Sequence, residues 1–213
     1  MFTRRELDQL ILDVEFVIIS VVQGVALTTL AVEALPILRD HHTAGYAFAA
    51  SGLLFVLAFW SAALIHAVSF VAWPMDLPHY FFYFALGLLE CLTFGQMARP
   101  RDWFGYSIAC YVMSGALYAY DYALIRGRRA LFQKSEALKL LYADMTRQQR
   151  RDLFVFMPSG LAFNAIAYAL VVADPTRGVV LAWVQFALTV AFLANLVHEF
   201  SRRQRLITDS AER

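Results

Sequence analysis

All 18 Lys and Arg residues of this 213-residue chain lie outside six long apolar stretches, at 10–36, 45–73, 77–98, 103–125, 153–173 and 179–200. The stretches hold about two thirds of the chain, so an even scatter would put most of the basic residues inside them. Such strict exclusion is expected of segments surrounded by hydrocarbon, where a Lys or Arg at mid-depth costs about 3 kcal/mol. About 20 helical residues cross the ~30 Å core of a bilayer, and every stretch is long enough. Charged residues make up 16% of the chain, against about 25% in soluble domains. The pattern excludes an ordinary globular fold, a disordered chain and a nucleic-acid-binding module. It predicts an all-α, polytopic membrane bundle of six transmembrane helices, a single domain over 1–213. Continuous apolarity excludes a β-barrel, whose strands alternate.

The connections at 37–44, 74–76, 99–102 and 174–178 are short, and only 126–152 is substantial. None can fold as an independent soluble unit, so any activity sits within the bundle or on its rim. The first stretch follows a mixed-charge start, Arg4-Arg5-Glu6-Leu7-Asp8, and exceeds a signal-peptide apolar region, so it is expected to remain as a helix. Counted on alternate sides, 14 basic residues share the side of the N-terminus, the 126–152 loop and the C-terminal tail, against 4 opposite. The positive-inside rule therefore predicts both termini in the cytoplasm.

Within the long loop, Leu131, Leu138, Leu141 and Met145 recur at helical spacing among basic residues. An amphipathic helix over 128–144 is expected at the inner leaflet, its basic charge in the 126–151 region favouring anionic headgroups. Thr146 followed by Gln149 is a capping-box pattern that predicts the start of the last helix pair.

Ionisable groups inside apolar spans need a physical reason. Asp13, Glu15 and Glu33 lie near the ends of the first span and are expected to reach headgroups or water. Glu90 sits deep in Leu88-Leu89-Glu90-Cys91-Leu92, and must be protonated, paired or facing a wet cavity. Asp121 follows Tyr118 by one helical turn, a spacing that allows a hydroxyl–carboxylate pair. Together with Asp13 and Glu15, His66, His79, Asp121, His198 and Glu199 fall in the cytoplasmic half. No span pairs two ligands on one face in Glu-x-x-His or His-x-x-x-His spacing, so no metal or other cofactor is expected. Cys91 and Cys110 are both intramembrane and form no secreted-type disulfide framework.

The first span carries a polar stripe, Ser20, Gln23, Gly24, Thr28 and Thr29, suited either to a water-lined path or to close helix contact. Asn164, Gln185 and Asn195 add neutral polar groups to the last two spans, as helix glue more than conduit. Gln185 reads as isolated on an apolar helix.

Thr28-Thr29-Leu30-Ala31-Val32-Glu33 resembles the first helix of the small bacterial six-helix relatives of the endolysosomal potassium channel. Chain length, Trp60 and His66 in the second span, and the basic link between the fourth and fifth are similar too. With Glu33 on that family's acidic position, Ile18-Ile19-Ser20 falls on its Phe-Ser-Asp signature and shares only the presence of a Ser, one position displaced. The resemblance implies a potassium-permeable cation channel.

The leading expectation is a non-enzymatic homo-oligomeric pore for small ions in a bacterial inner membrane. Ser20, Gln23 and Thr28 would line it, with Ile19 or Leu27 as the constriction. The alternatives are an accessory subunit bound to a membrane-protein partner, and a haem or metal redox bundle using His66, His79 and His198.

Overall fold

The computed structural model describes the backbone of residues 4–39, 43–69, 77–134 and 136–211. Among these residues the structure is all-helical: α1 (Arg4–Arg39), α2 (Thr43–Ser69), α3 (Leu77–Phe94), α4 (Pro100–Gly127), α5 (Glu136–Arg151), α6 (Met157–Ala173) and α7 (Gly178–Ala211). Six of the helical segments are long and apolar enough to cross a membrane, so the chain is a multi-pass membrane protein. Prolines set several boundaries. Pro100 opens α4 and Pro175 opens the short 3-10 turn before α7, positions where a missing N–H costs no intrahelical bond.

The expected break near Thr146 does not occur. Thr146 lies inside α5, and the chain stays helical from Glu136 through a π-helical turn, Asp152–Phe156, into α6. The amphipathic helix is therefore shifted from the expected 128–144, and a 3-10 turn (Arg129–Lys134) precedes it. Packing explains the shift. Met145 joins Ile125 and Phe132 in a buried cluster against which Leu138, Leu141 and Tyr142 pack, so the apolar face of α5 is covered by the bundle's own end. The π turn follows from Pro158, which has no N–H to offer Phe154 and whose ring crowds that carbonyl. Widening the preceding turn accommodates it, and Met157 N–H bonds instead to the Asp152 carbonyl.

The helices do not pack in chain order. α1 lies against α2 and α3, α3 against α4, α4 against α6, and α2 against α7, while α6 and α7 touch only sparsely. The result is a ring of packed pairs, α7–α2–α1–α3–α4–α6, that closes weakly between its two ends, α6 and α7. Toward the end where α1 finishes, the ring is filled by Phe48, Phe94, Trp103 and Phe104, all fully buried. The Phe48 and Trp103 ring centroids lie 5.1 Å apart and those of Phe94 and Trp103 6.3 Å.

Candidate functional site

Beneath that aromatic plug lies a half-open cavity of about 110 Å³, with walls from α2, α3, α4, α6 and α7. From α2, Ala58, Ala62 and Ala63 present only methyl groups to it, alongside the rings of Phe55 and Phe59. Phe55 divides the cavity from the plug, stacked on Trp103 at 6.2 Å and edge-on to Tyr111 at 6.5 Å.

Two carboxylates stand in the wall, Glu90 from α3 and Asp121 from α4. Glu90 is 6% exposed and accepts a hydrogen bond from Gln23 Nε2 at 3.0 Å. Asp121 is 1% exposed and its Oδ1 lies 2.6 Å from His79 Nε2. Thr93 Oγ1, 3.6 Å from Cys110 Sγ, fixes the register of α3 on α4. Counted from that contact at ~1.5 Å per residue, Glu90 and Asp121 are roughly 12 Å apart along the helix axis. The same register confirms α3 and α4 as antiparallel neighbours, with both cysteines free.

Polar contacts continue on the side where α1 begins. Tyr83 O–H donates to Glu15 Oε1 at 3.1 Å. Glu15 is buried rather than reaching headgroups as expected, because α3 presents a hydroxyl at its level; Asp13 and Glu33 are exposed. Further toward that end Arg151 bridges two carboxylates, donating to Glu199 Oε1 at 3.1 Å and to Asp152 Oδ1 at 3.3 Å, and Arg202 pairs with Asp144.

The structure divides the polar stripe of α1. Gln23 and Ile19 face the bundle and are buried, whereas Ser20, Gly24, Leu27 and Thr28 point away from it. Thr28 satisfies its own hydroxyl on the Gly24 carbonyl at 2.8 Å. His198 is exposed, and the His66 side chain falls outside the described residues. Among the described residues no three His, Cys, Asp or Glu side chains come together as a metal site would require.

Gln185 is not isolated. Its Oε1 accepts from Trp103 Nε1 at 2.8 Å, its Nε2 donates to Asn164 Oδ1 at 2.8 Å, and Asn164 Nδ2 donates to the Gly160 carbonyl at 2.8 Å. This chain ties α4, α7 and α6 together beside the plug. The sequence signal for it was present, since each member is a lone polar or indole group in its own span. The partners become visible only once packing order is known.

Comparison with protein families, with curated proteins and with solved structures finds no match in any of the three.

Proposed function

We propose that this membrane protein moves small monovalent cations across its bilayer through the interior of the bundle, without enzymatic chemistry. The observation that carries the reading is the cavity with Glu90 and Asp121 in its wall. Carboxylates held inside apolar helices are costly and concentrate where ions or protons pass. Polar side chains line the approach from the side where α1 begins, and the aromatic plug closes the opposite side. The arrangement suits a path open toward one face at a time. In this reading the face rich in basic residues is cytoplasmic, and both termini lie there. Cysteines introduced at Thr176 and Arg147, both exposed, test this: an outer-face reagent should label only the first.

A second reading is a homo-oligomeric pore lined by α1, including a potassium-selective one. It is favoured by the outward-facing Ser20, Leu27 and Thr28. Such a pore would use these three without Gln23 and Ile19.

Flux from proteoliposomes under a K⁺ gradient, with Na⁺ and Cl⁻ controls, tests both readings. Cation flux that falls about ten-fold or more in Glu90→Gln, per folded protein, supports the interior path. A chloride-selective flux would overturn it, and cation flux insensitive to Glu90→Gln but abolished by Ser20→Phe would overturn it in favour of the α1-lined pore.

A further inference from the structure

We propose that the cavity is a binding site for a monovalent organic cation, an ammonium group carrying apolar substituents. The inference rests on the interior-path reading and narrows its substrate class. The first observation is the imbalance around Glu90. Its hydrogen-bonding partner is the neutral amide of Gln23, and no basic side chain among the described residues reaches it. A carboxylate so placed is completed either by a proton or by a cation from outside the chain. Asp121, by contrast, already has His79. The site therefore calls for one positive charge.

The second observation is the wall facing that charge. Phe55, Phe59, Tyr83, Tyr111 and Tyr118 contribute rings, and most of the remaining surface is alkyl. Ring faces attract cations by about 0.5–2 kcal/mol each, more as water is excluded. Alkali ions need a shell of oxygen atoms in place of their hydration. Apart from the carboxylates, the wall's oxygens are the hydroxyls of Ser114, Thr189, Tyr83, Tyr111 and Tyr118, set among a surface that is mostly ring and alkyl, and the Tyr83 hydroxyl is engaged with Glu15. An alkylammonium is weakly hydrated, and its methyl or methylene groups match the alanines of α2. The third observation is size. At ~10–15 Å³ per water-sized position, about 110 Å³ accommodates a ligand of several heavy atoms and is generous for a bare metal ion.

The test is calorimetric titration of the detergent-purified full chain with tetramethylammonium, choline, the neutral choline isostere 3,3-dimethylbutan-1-ol, and K⁺. Saturable binding of the two ammonium ions is expected, with the neutral isostere roughly ten-fold weaker or worse. Glu90→Gln keeps the shape of the side chain and should abolish the discrimination between charged and neutral ligands. Phe59→Leu, which keeps an apolar side chain in the wall, should weaken the ammonium ions several-fold while leaving the melting temperature close to wild type. Equal binding of the neutral isostere, unchanged binding in Glu90→Gln, or K⁺ competing at equal concentration would overturn the proposal. Cation flux without ammonium binding removes the ligand class and leaves the transport reading standing. Ammonium binding without flux does the reverse.

Discussion

His79 Nε2 and Asp121 Oδ1 meet at 2.6 Å although 42 residues separate them in the chain, and each side chain is at most 2% exposed. The pair joins the first turn of α3 to the C-terminal part of α4. Removing one partner takes from the other its 2.6 Å contact in a poorly solvated place. Asp121→Ala or His79→Ala should each cost about 2 kcal/mol, above the typical interhelical hydrogen bond in membranes and below the upper range for a broken buried ion pair. The double variant should cost clearly less than the sum. Reversible unfolding in mixed detergent measures the cycle, and strict additivity would show that the pair contributes nothing.

Gln185→Leu removes both an acceptor for the Trp103 indole and a donor to Asn164. The expected loss is about 1–2 kcal/mol, from two buried groups left without their partner. Ser20→Leu, on an exposed face of α1, should change stability by less than 0.5 kcal/mol or so. The comparison is read by thermal unfolding in detergent, and a reversed order would contradict the network.

Gly87 and Gly24 should behave in opposite ways. A Cβ on Gly87 collides with the buried side chain of Val22, whereas one on Gly24 meets nothing within 4 Å. Gly87→Val should therefore push α1 off α3, separate Gln23 from Glu90, and cost about 1–3 kcal/mol. Gly24→Ala should be neutral or slightly stabilising. Folded yield after size exclusion, followed by thermal unfolding, distinguishes the two.

At the turn between α6 and α7, Asp174 accepts from Thr176 Oγ1 at 2.6 Å, from Thr176 N–H at 3.1 Å and from Arg177 Nε at 3.2 Å. The Thr176 hydroxyl first, then its amide and Arg177, hold the Asp174 carboxyl below the usual value of 3.8. A depressed carboxyl stabilises the turn above the ordinary aspartate range. That contribution disappears as pH falls through the lowered value, so it is lost only in strong acid. Carbon NMR of labelled aspartate should show one resonance, absent in Asp174→Asn, titrating below 3.8. A midpoint at or above that value would contradict the bonding.

The spans were legible because hydrocarbon imposes one simple rule on where charge lies. The expected stretch 77–98 closely matches α3 with its following turn, and 103–125 lies within α4. Helix ends were less legible, since helices such as α7 continue well past the apolar limit into polar surroundings, to Ala211. The capping-box pattern at Thr146 misled because Gln149 is engaged elsewhere, donating to the Tyr118 carbonyl at 3.0 Å. Depth alone placed Glu15 in headgroups, yet Tyr83 holds it inside. For Glu90 the options were correctly bounded, but its link to Gln23 required knowing that α1 packs on α3. Facing directions within a bundle depend on which helices become neighbours, and a single span does not encode that.

The sparse contact between α6 and α7 bears on how the chain is made. Consecutive helices enter a bilayer as a hairpin, yet here the final two must part, one docking on α4 and the other on α2. The ring is thus completed only once α7, which follows the other six helices in the chain, has been made and docked. A nascent chain halted before Gly178 would leave the wall containing Glu90 facing lipid on the α7 side. Quality-control proteases that sense polar groups in the bilayer should therefore clear such truncated chains much faster than the finished protein, a difference measurable by pulse–chase.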